Sequence, residues 1–106
     1  MSRLTRRQLL VSGAVTLLAG SARAHNGTVH VTIDKLVFSP VEVEAKVGET
    51  IEWINNDPIA HTATVKGGWE VMIPPGKSAT KVMESAGSTE YYCRFHPNMK
   101  GRIVVT

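Results

Sequence analysis

Near its C-terminus the chain reads Tyr92-Cys93-Arg94-Phe95-His96-Pro97-Asn98-Met99, which places a thiol, an imidazole and a thioether at intervals of three. Thiolate and thioether are soft donors, and in company with imidazole they select copper among the common protein metals. An upstream histidine, His61, completes a set of two nitrogens, one thiolate and one weak thioether. Such a set is the donor pattern of one-electron copper sites. Zinc sites draw on cysteine and histidine in tetrahedral sets and have little use for a thioether. Calcium and magnesium call for clustered oxygen donors, a pattern this stretch lacks.

Each residue also has an ordinary reading by itself. Cys93 could be a buried structural thiol, His61 a hydrogen-bonded core histidine, Met99 a core filler and His96-Pro97 a plain turn. Those readings do not explain three donors in one short loop. Cys93 is the sole cysteine, so an intrachain disulfide is impossible. In an exported protein a lone cysteine forms an intermolecular bridge, stays a free thiol or binds metal.

Donors from two distant stretches need a rigid scaffold to bring them together. After residue 25 no helical periodicity persists, and short alternating segments rich in β-branched residues recur between turn signals. Strands are predicted over 28–33, 41–45, 50–54, 61–66, 70–73, 78–83, 89–93 and 102–105. Between them lie Ser39-Pro40, Gly48-Glu49, Asp57-Pro58, Gly67-Gly68, Pro74-Pro75-Gly76 and Ala86-Gly87. Seven to eight short strands in so short a chain make an all-β sandwich or barrel. Alternation points Val41, Val43 and Ala45 inward, groups His61 with Ala63 and Val65, and puts Tyr91 and Cys93 on one side. His61 and Cys93 are thus expected to face inward at strand ends. Met72 and Met83 also fall in strand segments, where packing accounts for them.

The first 24 residues have a different character. Arg3, Arg6 and Arg7 precede an apolar run from Leu9 to Gly20, and Ala22-Arg23-Ala24 supplies small residues where a signal peptidase cuts. That order predicts a cleaved signal peptide over 1–24 and one domain over 25–106. The run is shorter than the ~20 residues of a membrane-spanning helix. Thr5-Arg6-Arg7-Gln8-Leu9-Leu10 partly matches a twin-arginine signal, so two export routes are compatible with it. Arg3, Arg6, Arg7 and Arg23 leave with this segment, and no acidic residue does. The formal charge of +3 for the whole chain then falls to about −1, which removes any electrostatic case for nucleic-acid binding. The expected product is an exported monomer of the bacterial periplasm, with no stable membrane insertion after cleavage.

The segment Tyr92-Cys93-x-x-His96-Pro97-x-Met99-x-Gly101 resembles the copper loop of the amicyanin group of cupredoxins, or blue copper proteins. Pseudoazurins and plastocyanins are more distant relatives. Trp53-Ile54-Asn55-Asn56 followed by His61 is similar to the family's upstream ligand strand, and Val37-Phe38-Ser39-Pro40 with Val47-Gly48 to its first turn. The likeness covers residues 28–106. It implies a cupredoxin-type Greek-key β-sandwich holding one type 1 copper ion that cycles between Cu(II) and Cu(I), in an electron carrier rather than an enzyme. His61, Cys93, His96 and Met99 inherit the ligand roles, with His96 nearest to solvent as the electron port. Transient redox partners would dock near His96, where Pro58, Ile59, Pro74, Phe95 and Pro97 can supply apolar surface. Arg94 and Lys100 would favour an acidic partner. Relatives commonly carry asparagine directly after the upstream histidine; here Thr62 stands there, and its hydroxyl can make a comparable hydrogen bond. The rival reading is a periplasmic copper carrier or buffering protein with no electron-transfer role. His25, N-terminal after cleavage, would add an amine and an imidazole that can chelate copper.

Overall fold

The computed structural model describes residues 21–23 and 27–106. Residues 1–20 and 24–26, which include most of the expected signal peptide and His25, lie outside the described residues. Short β-branched segments broken by Gly and Pro favour pleated strands over helices. The chain accordingly forms β1 (Ser21–Arg23), β2 (Thr28–Asp34), β3 (Val37–Ser39), β4 (Glu42–Ala45), β5 (Thr50–Asn55), β6 (His61–Thr64), β7 (Glu70–Ile73), β8 (Ser78–Val82), β9 (Gly87–Cys93) and β10 (His96–Val105). Nine strands follow residue 27, close to the predicted seven to eight. Among the described residues no helix is long and apolar enough to cross a membrane.

Six strands form one sheet in the order β1-β4-β10-β9-β6-β7, and four form the other in the order β3-β2-β5-β8. The chain passes between sheets after β1, β3, β4, β5, β7 and β8, as a Greek-key sandwich requires. Three pairings among the described residues are parallel and join segments far apart in sequence: β1 with β4, β2 with β5, and β4 with β10. Inward positions follow the alternation. Val29, Val31 and Ile33 of β2, Ile51 and Trp53 of β5, and Ile103 and Val105 of β10 are all buried. Val41 departs from the expected pattern. It is 57% exposed, because β4 begins only at Glu42, and Val41 serves through its carbonyl, which accepts from the Arg102 N–H at 2.8 Å. Met83 is buried as expected, whereas Met72 lies on an edge strand and is exposed.

Aromatic rings fill the core beneath the chemistry-bearing end. Tyr91 meets Phe38 edge-on at 4.7 Å between centroids and Trp53 at 5.6 Å. Its hydroxyl accepts from Trp53 Nε1 at 3.2 Å. Burial pushes the Tyr91 phenol up to about 12, against the small opposing pull of the Trp53 bond. The phenol end of the ring lies against Gly101, directly across the ladder, so a Cβ at Gly101 would overlap Cζ, Oη and Cε1 of Tyr91. Gly101→Ala is therefore expected to lower stability by about 2 kcal/mol through overpacking. Urea denaturation would show it as a lower midpoint at unchanged slope; an unaltered midpoint would mean that the ring moves aside freely.

Candidate metal centre

His61 opens β6 immediately after a tight loop that Asn55 holds in place. The Asn55 amide donates to the carbonyls of Ile59, Ile73 and Pro74, and its Oδ1 accepts from the Asp57 N–H at 2.8 Å. This side chain is buried with all its polar atoms used, so the loop geometry leading to His61 is tightly determined. All four β6 residues are buried. Alternation accounts for His61 and Ala63; Thr62 and Thr64 are covered on the opposite face by polar partners described below.

Cys93 ends β9 and His96 begins β10, with Arg94 and Phe95 forming the turn. The two strands pair regularly as far as Tyr92↔Lys100, and then Cys93 pairs with His96. Regular pairing would have set Cys93 opposite Met99, so Pro97, Asn98 and Met99 are extruded as a bulge. The sequence pattern placed these donors in a loop ending before residue 102. In the fold the strand resumes at His96 and carries the bulge within it, because Pro97 and the polar residues around it mask the alternation. The bulge brings the His96 ring beside Cys93, while Met99 is buried in it.

The donor atoms of His61, Cys93 and His96 all lie within 4.8 Å of one another. His61 Nδ1 is 3.6 Å and His96 Nδ1 3.7 Å from Cys93 Sγ, with the two imidazole centroids 5.3 Å apart. Donors bound to one ion, at about 2.3 Å for sulfur and about 2.0 Å for nitrogen, sit about 3.5–3.7 Å apart when the angle between them is about 110–120°. The spacing fits a single ion between them. Met99 lines the same surface depression as His96, together with Leu36, Phe95, Pro97 and Asn98. Cys93 and His61 are fully buried and His96 is half-buried, which leaves His96 as the ring of the three that reaches the surface.

Asp57, read from the sequence only as a turn residue, proves central. Its Oδ2 lies 2.8 Å from His61 Nε2 and accepts from the Leu36 N–H at 3.0 Å, while its Oδ1 accepts from the Lys35 N–H at 2.6 Å. A carboxylate on Nε2 fixes the tautomer with the proton there and leaves the Nδ1 lone pair facing Cys93. Burial opposes charge on Asp57, yet the Leu36 and Lys35 amides and His61 outweigh it and hold the carboxyl below its ordinary range. Lys35 and Leu36 both have left-handed backbones, φ 53° and 65°, which suits the primed two-residue hairpin turn between β2 and β3. Neither residue favours that conformation, so the Asp57 bonds to their amides offset its cost. An aspartate four residues before a candidate histidine ligand was the available signal.

Thr62 bridges the two donor segments. Its N–H donates to Cys93 Sγ at 3.4 Å, and its Oγ1 accepts from the Arg94 N–H at 2.8 Å. The hydroxyl thus makes the inter-segment bond expected of it. Thr62 Oγ1 lies 2.8 Å from Thr64 Oγ1, which donates to Glu70 Oε1 at 2.8 Å. Glu70 in turn accepts from Arg94 Nε at 2.9 Å and Nη2 at 3.0 Å. The Arg94 guanidinium, and then the Thr64 hydroxyl, hold the Glu70 carboxyl below the ordinary carboxylate range. With its charge paired in this way, Arg94 offers less attraction to an acidic partner than its position alone implied. Arg94 also stacks over the Phe95 ring at 4.8 Å.

Fold and site together define a small β-sandwich that carries a sulfur–nitrogen donor cluster at one end. The family model described as a cupredoxin-like domain matches residues 8–105. Amicyanin of Paracoccus denitrificans is 30% identical over 95 residues, covering 80% of this chain and 70% of that protein. Plastocyanin of Scenedesmus fuscus is 32% identical over 85 residues, covering 66% and 87%. The crystal structure of amicyanin from Paracoccus versutus superposes with a TM-score of 0.68 at 30% identity, covering 78% of this chain and 85% of that one. A Cu(I) form of an amicyanin mutant superposes at 0.69 with 27% identity, covering 78% and 86%. The chain belongs to the cupredoxin-like family.

Proposed function

We propose that this protein is an exported blue copper carrier of single electrons, with one ion held by His61, Cys93, His96 and Met99. The observation that carries the reading is the approach of His61 Nδ1 and His96 Nδ1 to within 3.7 Å of Cys93 Sγ. Bound copper would supply the Cu(II)/Cu(I) couple. The chain's own residues do the rest. Asp57 keeps the His61 proton on Nε2 and its other nitrogen free to coordinate. Thr62 holds the thiolate by its amide and the Cys93–His96 turn by its hydroxyl, so the cluster changes little between states. As an electron carrier rather than an enzyme, the protein needs no substrate cavity. Its partners meet it at His96, where the depression lined by Leu36, Phe95, Pro97 and Met99 supports apolar, transient docking of a monomer.

Optical and EPR spectra of the mature protein with one equivalent of Cu(II) test this reading. An intense thiolate-to-copper band in the visible is the expected result. Copper bound tightly without that band would favour the carrier or buffering role instead. A second measurement addresses Met99. Met99→Gln is expected to retain copper but lower the reduction potential, because an oxygen donor favours Cu(II) over Cu(I). A potential identical to that of the native protein would remove Met99 from the ligand set.

A further inference from the structure

The bonds around Thr62 close into a ring whose proton directions are determined. A carboxylate can only accept, so Thr64 must spend its one proton on Glu70. Thr64 Oγ1 then has to accept from Thr62, since the two hydroxyls share a single bond. The Thr62 oxygen is left to receive the Arg94 N–H. Donation therefore runs from the Arg94 amide through two hydroxyls to Glu70, and the Arg94 guanidinium closes the ring by donating to the same carboxylate. Both ends of Arg94 are held, and Arg94 belongs to the turn that joins Cys93 to His96. Thr62, whose amide meets Cys93 Sγ, is held at the same time.

We propose that Thr64 and Glu70 are positioning residues for the Cys93 thiolate, acting through Thr62 and Arg94. The inference rests on the copper reading above and extends it to two residues that touch no ligand. An ion pair as exposed as Glu70–Arg94 contributes little by itself. Its hydroxyl links differ: Thr62 and Thr64 are buried, and Thr64 faces Glu70 directly across the ladder. Without Thr64 Oγ1, the Thr62 O–H has no acceptor in a dry site, and the hydroxyl must turn away from the Arg94 amide to find one. Loosening Thr62 also loosens its N–H bond to sulfur. That bond draws negative charge from the thiolate, so weakening it favours Cu(II) and lowers the potential.

Thr64→Val, Thr64→Ser and Glu70→Gln separate these contributions. In the metal-free protein, hydrogen exchange at the Arg94 amide, followed by NMR, should accelerate at least tenfold in Thr64→Val. In the copper-loaded protein the same variant should shift the Cu(I):Cu(II) ratio at fixed potential at least threefold towards Cu(II). Thr64→Ser restores the hydroxyl and should return both readings to within twofold of native. Glu70→Gln keeps an acceptor for Thr64 but loses the charge, and should fall between native and Thr64→Val. If Thr64→Val fails to fold, the Ser and Gln variants carry the comparison. Native exchange and native potential in Thr64→Val, or in Glu70→Gln if it alone can be read, would overturn the proposal. So would faster exchange at an unchanged potential, which would make the ring a structural brace only. A native protein lacking the thiolate band would sink the copper reading instead, while the metal-free exchange arm still decides whether the ring holds the turn.

Discussion

Cys93→Ser is expected to abolish the intense visible band of the copper-loaded protein completely while leaving the sandwich folded. The band arises from charge moving between a thiolate and Cu(II), and Cys93 carries the sole sulfur that can become a thiolate. A serine oxygen is a harder, shorter-reaching donor, so any copper still held by the two imidazoles would sit in an ordinary oxygen–nitrogen environment. The fold should hardly notice. The main-chain pairing of β9 with β10 does not involve Sγ, which accepts from the Thr62 amide and otherwise faces the two imidazoles. An oxygen can accept from the same amide, so the loss of stability should be about 1 kcal/mol, typical of a single substitution. Far-ultraviolet circular dichroism and a thermal melt check the fold, and the optical spectrum checks the site. Survival of the band in this variant would show that the metal lies elsewhere.

The largest expected effect on stability belongs to Asp57→Ala, at about 4 kcal/mol, because three hydrogen bonds to a carboxylate, each contributing about 1.5–3 kcal/mol, are lost and only partly replaced. Three donors lose their acceptor at once: His61 Nε2 and the amides of Lys35 and Leu36. The two amides lie near solvent and can recover part of the loss from water. The His61 ring is fully buried and cannot. The left-handed turn at Lys35 and Leu36 also loses the contact that offsets its backbone cost. Asp57→Asn should cost less than half as much, since the amide oxygen can still accept from one donor. Urea unfolding of the metal-free proteins would order the two variants. Equal stabilities for native and Asp57→Ala would mean that the turn and His61 are held by other means.

The contrast between Cys93 and Asp57 shows what a linear reading can reach. Cys93, His96 and Met99 stood out as candidate donors because three uncommon side chains crowd into seven residues, and chemistry alone makes them conspicuous. The faces of β2 and β5 were legible because burial on one side enforces strict alternation. Asp57 gave no comparable sign: its amide donors lie 22 and 21 residues upstream, in a turn built from Lys35 and Leu36 rather than the glycine or asparagine that usually marks such a bend. For the same reason the short strand β3 escaped prediction. Thr62 and Thr64 looked like outward residues of a half-buried strand. They are covered because Arg94, some 30 residues away, and Glu70 fold over them, which no local period encodes. Candidate metal donors declare themselves by type, whereas the residues that hold them in place are common types distinguished only by tertiary placement.

The parallel seam between β4 and β10 constrains how quickly the molecule can be assembled. On its inner side Glu42–Ala45 pairs with residues 102–105, far along the chain, and that same strand begins with His96. A large loop must therefore close before the seam forms, and its entropy is lost before any contact repays it. Sandwiches dominated by such non-local pairings refold in roughly milliseconds to seconds, far slower than helical domains of similar size. Deletion of residues 103–106 would strip the seam from its far end. Refolding should then fail or slow sharply, although every proposed ligand is still present in the shortened chain.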